Sequence, residues 1–175
     1  RALSDYRDLF GAVDAVSLAV PTPLHHPIGS ELLRNGIDVL IEKPIATTVS
    51  EARELVDLAR AHGRVLQVGH LERFNPAVLA AAERLRTPRF VESHRLAPFK
   101  QRGTDVSVVL DLMIHDIDLI QELVGTPIES IDAVGATVFS GEIDIVNARL
   151  RFKGGCVANT TASRISLKQE RKIRI

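Results

Sequence analysis

The sequence has 175 residues, is 45% hydrophobic and 25% charged, and sets 22 basic against 22 acidic side chains. That balance is globular and not disordered, and it offers no net field to a nucleic acid or an anionic membrane surface. Six Phe, one Tyr and no Trp leave little for base stacking, the lone Cys156 excludes an internal disulfide or a cysteine zinc site and suggests a reducing, cytoplasmic setting, and no run of about 18 apolar residues is present to span a bilayer.

The first half alternates strand and helix patterns. Residues 15–20 form a short apolar run closed by Pro21-Thr22-Pro23, which predicts a buried strand ended by a turn. A helix follows over 26–35 and stops at Gly36. Asp38 to Ile41 is again strand-like and runs into Glu42-Lys43-Pro44. Ser50 to Ala61 predicts an amphipathic helix capped by Ser50, with Leu55, Val56, Leu58 and Ala59 inward and Gly63 as its end. A third strand covers 64–69. Such alternation implies βαβ units, a parallel sheet and helices on its faces.

The second half reads differently. Asn75-Pro76 opens an alanine-rich helix to about Arg86, residues 88–96 are strand-like, and 107–124 predict a helix stopped by Gly125. Strand patterns then follow near 128–139, 143–153, 155–164 and 168–175, separated by glycine turns. Consecutive strands after a helix predict an α+β domain with a mixed, mostly antiparallel open sheet. The expected organisation is therefore a partial Rossmann-type domain over 1–73 and an α+β domain over 74–175, both cut from a longer protein. The last twelve residues carry five basic groups and one acid, which reads as one solvated strand face.

Ligands of a parallel α/β sheet sit beyond the carboxyl ends of its strands. Two such ends here carry polar groups, Pro21-Thr22-Pro23-Leu24-His25 and Glu42-Lys43-Pro44. A lysine held by a following proline can hydrogen-bond an alcohol or polarise a forming carbonyl, although a strand-end lysine is more commonly a solvated charge. The tight exit suggests a cis Lys43–Pro44 peptide. On the predicted helix, Asp111, His115, Asp118 and Glu122 recur every three or four residues and share one face. A histidine flanked by carboxylates is a candidate proton acceptor; a wet, salt-bridged face is the alternative, and a metal site on Asp111, His115 and Asp118 is a weaker one. At the end of the third strand lies Gly69-His70-Leu71-Glu72-Arg73-Phe74-Asn75-Pro76, where Arg73 can clamp a phosphate or carboxylate or simply flank a helix.

Together, Val20-Pro21-Thr22 with His25, Gly36 to Pro44, Glu51-Ala52, Gly69-His70 with Arg73-Phe74-Asn75-Pro76, and Asp111, His115, Asp116 and Asp118 resemble the Gfo/Idh/MocA oxidoreductase family over residues 10–125. The resemblance implies a Rossmann half that binds NAD or NADP and a second domain that supports substrate binding and assembly as a homodimer or homotetramer. It further implies Lys43, Asp111 and His115 as catalytic residues, and Pro21, Thr22, His25, Glu42, Lys43 and Pro44 as the cofactor side. His70, Arg73, Asn75 and Asp118 fall on the substrate side, with no metal. The reaction implied is oxidation of a secondary alcohol of a sugar or nucleotide sugar by hydride transfer, and the stretches around Arg73 and His115 look most like members acting on nucleotide sugars. The family's Gly-x-Gly-x-x-Gly turn is not found in these residues and is expected upstream. A non-catalytic binding and assembly module is therefore the alternative for this chain.

Overall fold

The computed structural model describes residues 2–100 and 106–175, which divide into two compact units at His70/Leu71. The division falls three residues before the expected one at 73/74.

The first unit is built on strands β1 (Ala15–Leu18), β2 (Asp38–Ile41) and β3 (Leu66–Val68), paired in parallel in that order. Helices α1 (His25–Arg34) and α2 (Val49–Ala61) fill the crossovers. Leu18, Leu32, Leu33, Val39, Ile41 and Leu55 form the buried core between sheet and helices. The cap of α2 lies two residues before the expected Ser50. Thr48 accepts from the Glu51 N–H while the Glu51 carboxylate accepts from the Thr48 N–H, a reciprocal capping box.

The second unit begins with α3 (Pro76–Arg84), whose Asn75 cap accepts from the Ala77 N–H, and continues into β4 (Phe90–Leu96). The expected helix from 107 is divided. Val109–Met113 forms a π-helical turn, and a regular helix, α4 (Ile114–Val124), follows it. Gly125 ends α4 in the left-handed conformation that lets a helix stop sharply. Strands β5 (Ile128–Ala136), β6 (Ile145–Phe152), β7 (Val157–Ser163) and β8 (Glu170–Arg174) complete a sheet ordered β5-β6-β7-β4-β8. Within this sheet, among the described residues, only the β4–β7 pairing is parallel. One face is apolar and packed: Val91, Ala148, Leu150, Phe152 and Ala158 meet Met113 and Ile120. The mixed, mostly antiparallel open sheet is as expected, and it makes the chain α/β in its first unit and α+β in its second.

Candidate active site

In the first unit, β1 and β2 end side by side because they pair in register from Ala15–Asp38 to Leu18–Ile41. The segments that leave them are therefore neighbours. His25 joins them. Its ring is 1% exposed, with Nδ1 2.8 Å from the Pro44 carbonyl oxygen and Nε2 2.9 Å from that of Val20. It thus fixes the exit of β1 against the exit of β2 through backbone atoms. Pro44 is buried, the Lys43–Pro44 peptide is cis as expected, and Glu42 and Lys43 are half-buried at the strand end. The Glu42 carboxylate lies where a Cβ on Gly69 would come within 3.3 Å of it. The glycine after β3 lets that carboxylate approach the third strand end. Pro21 is exposed and Thr22 and His70 are half-buried at the same edge. A set of polar groups along the carboxyl ends of parallel strands lies where an open α/β sheet receives a ligand.

The second unit carries the other candidates. The π turn holds Asp111, and α4 holds His115 and Asp118. A π turn closes over one residue more than an α turn, so Asp111 is rotated away from the single continuous face the sequence spacing predicts. The remaining two carboxylates do share a face. Arg73 donates from Nε and Nη2 to Asp118 at 2.8 and 2.6 Å and from Nη1 to Glu122 at 2.7 Å. The bidentate pairing ties the segment before α3 to α4, and it raises the Arg73 pKa, first through the Asp118 hydrogen bonds. The salt-bridged alternative thus describes the Asp118–Glu122 end of the helix, while Asp111 and His115 stand at its beginning, both half-buried. Asn75 serves as a helix cap. Among the described residues, no group of three or more His, Cys, Asp or Glu side chains is placed to hold a metal ion, and no helix is long and apolar enough to cross a membrane.

Two buried charge clusters escaped the sequence reading. Arg95, 6% exposed, donates from Nε and Nη2 to Asp116 Oδ1 at 2.9 and 2.7 Å; Asp116 is 2% exposed. Burial pushes the Asp116 carboxyl up, and Arg95 pulls it back. Arg95 also lies 3.7 Å from Glu72, which is equally close to Arg171. The signal for Arg95 was its position: Val91, Ser93 and Arg95 alternate onto the packed face of β4. The second cluster centres on Asp144, which accepts from the N–H groups of Val138, Phe139 and Ser140, from the Ser140 hydroxyl and from Arg164 Nε. Burial alone would raise the Asp144 carboxyl, but the Ser140 hydroxyl and the backbone donors outweigh it and hold it far below the usual carboxylate range.

Comparison with known proteins bears on both units. Residues 1–70 match the family model described as an oxidoreductase family with an NAD-binding Rossmann fold, and residues 51–175 match that of the GFO/IDH/MocA C-terminal domain. A UDP-N-acetylglucosamine 3-dehydrogenase of Acidithiobacillus ferrooxidans is 37% identical over 176 residues, covering 100% of this chain and 56% of that protein. A solved structure of that dehydrogenase superposes with a TM-score of 0.94, covering 100% of this chain and 58% of the other. A scyllo-inositol 2-dehydrogenase (NAD(+)) of Bacillus subtilis is 25% identical over 169 residues, covering 88% of this chain and 49% of the relative. The chain thus spans about half the length of these relatives.

Proposed function

The chain belongs to the Gfo/Idh/MocA family of NAD-binding oxidoreductases, and from that premise we propose that it carries the reacting half of an enzyme that oxidises a secondary alcohol of a sugar, with a nucleotide sugar such as UDP-N-acetylglucosamine as the substrate class. The observation that carries the reading is the strand-end set of Glu42, Lys43 and buried Pro44, stapled by His25 to the exit of β1.

Pro21, Thr22, Glu42, Lys43 and Pro44 would hold the nicotinamide side of NAD or NADP; the bound cofactor supplies a hydride acceptor. The chain's own groups do the rest. The Lys43 ammonium donates to the substrate hydroxyl and fixes its direction. His115 takes the hydroxyl proton as the carbon–hydrogen bond gives up its electron pair, leaving a ketone. Asp111 orients the substrate or His115. His25 acts through the two loops it joins. Arg73 and Asp118 act through each other, setting the start of α3 against the helix that bears His115, and His70 and Asn75 complete the substrate side.

Assembly as a homodimer or homotetramer through the uncovered sheet face belongs to the same proposal. Across that face, Asp132, Arg149, Asn159, Glu92 and Arg174 lie in one cross-strand row with charges of both signs, a pattern able to complement a second copy of itself.

The test is Lys43→Met in the complete enzyme, followed by reduced-nicotinamide absorbance with UDP-N-acetylglucosamine as substrate. Turnover should fall about 10²–10⁴-fold. Turnover equal to that of the wild type would remove Lys43 from the mechanism.

A further inference from the structure

A cleft of about 200 Å³ opens within the second unit, lined by Ala97, Lys100, Asp111, Arg164, Gln169 and Arg171. Its position follows from the sheet. β4 and β7 pair in parallel, so both carboxyl ends point the same way: Ala97 continues from β4 and Arg164 from β7. The π turn supplies Asp111 on one wall, and the start of β8 supplies Gln169 and Arg171 on another. A crevice beyond the carboxyl ends of parallel strands is where an open sheet offers backbone and side-chain donors to a ligand.

The side chains divide by chemistry. Arg164 is a wall and not a hand: it is buried, and its guanidinium is spent on Asp144 at 2.8 Å and on the carbonyls of Val106 and Ile143 at 2.9 and 3.1 Å. Lys100 and Gln169 are exposed at the rim. Arg171 has a side chain 65% exposed, and its contact with Glu72 is 3.7 Å, too long for a hydrogen bond, so its fork can swing to a ligand. These three present only N–H donors and amide atoms, with two positive charges, beside the carboxylate of Asp111. Acceptor-rich phosphate oxygens suit the first group, and a sugar hydroxyl suits the second. The volume also selects. Pockets for whole drug-sized ligands run roughly 300–1,000 Å³, so a cleft this size takes a headgroup and leaves the remainder outside.

Resting on the dehydrogenase reading above, we infer that Lys100, Gln169 and Arg171 form the subsite for the diphosphate of a nucleotide-sugar substrate, and that they set specificity by delivering the sugar to Asp111. This moves the phosphate-binding role from Arg73, whose fork is filled by Asp118 and Glu122, to the cleft beside the π turn. A diphosphate also belongs to the dinucleotide cofactor, so the test must separate the two sources.

The experiment is calorimetric titration of the protein with inorganic pyrophosphate, alone and after saturation with UDP or with NADH. Pyrophosphate should bind, Lys100→Gln and Arg171→Gln should each weaken it about tenfold, UDP should abolish the binding, and NADH should leave it intact. Both substituted side chains are exposed, so both variants should unfold at the wild-type temperature. Absence of pyrophosphate binding, variants that bind as tightly as the wild type, or displacement by NADH in place of UDP would each overturn the inference. The readout involves no hydride transfer. A Lys43→Met enzyme that turns over normally would remove Lys43 from the mechanism without touching this binding result, and loss of the binding result would leave the role of Lys43 standing.

Discussion

In the first unit the candidate groups stand on strand exits held through backbone atoms, with the His25 ring between two carbonyls and Pro44 buried; in the second they stand on a helix anchored by side-chain ion pairs, Arg73 on Asp118 and Arg95 on Asp116. The contrast follows from architecture. A parallel sheet aligns its strand ends by register alone, so a short loop and one buried ring suffice to aim a lysine. A helix laid across a mixed sheet has freedom to slide and rotate, and directional charge–charge hydrogen bonds from β4 and from the segment before α3 remove it. Charge reversal and acid should therefore loosen the second unit's helix before they loosen the first unit's strands.

The largest expected effect is on the buried pair. Arg95→Met leaves Asp116 buried beside an apolar neighbour and should cost about 3–5 kcal/mol in a denaturant titration. Arg95→Met combined with Asp116→Leu should recover most of that loss, because no uncompensated charge remains. A single substitution that costs nothing would mean that packing, and not the ion pair, holds α4 on the sheet.

A second way to break the comparison is acid. The Asp144 carboxyl is held below its ordinary value of 3.8 in the folded chain. Its contribution to stability is therefore complete above pH 3.8 and is lost as the pH falls from there toward the lower folded value. Glu31 and Glu51 are also lowered in the first unit, Glu31 by Arg7 and Tyr6 and Glu51 chiefly by Thr47, but at the surface, where solvent screens them. Amide exchange followed below pH 3.8 should show protection lost in β6 and β7 before β1 and β2. Simultaneous loss in both units would contradict the account.

The smallest effect lies in the first unit. Thr48→Ala removes the acceptor of the α2 capping box and should cost about 1 kcal/mol at neutral pH, read from thermal unfolding. Ser50→Ala should be close to silent, since Ser50 lies inside the helix.

What the sequence disclosed, and what it hid, divides along the same line. β2 is legible to the residue, Asp38–Ile41, because an apolar β-branched run bounded by Gly36 and Pro44 has few other readings. The strand-end Lys43 and its cis proline were equally readable, being local features of one loop. Thr48 was within reach, for Thr48-Val49-Ser50-Glu51 is the capping-box spacing. The π turn was not. Closing a turn over one more residue is decided by what the helix packs on, and the pattern from 107 to 124 fits a plain α-helix equally well. That single residue of phase separates Asp111 from the Asp118–Glu122 face. The Arg95–Asp116 and Arg164–Asp144 pairs were hidden for a related reason. Each joins residues about twenty apart in sequence and brought together by the fold, and pairing across a fold leaves no periodic trace in a single chain.

The proposed function rests on Lys43 and His115 both serving the oxidation, and a double-mutant cycle on turnover of the complete enzyme tests it most directly. Lys43→Met and His115→Gln should each lower kcat about 10²–10⁴-fold, and the double variant should be close to the worse of the two singles, as groups that serve one proton transfer are not additive. Losses that multiply, or a single variant that turns over like the wild type, would contradict it.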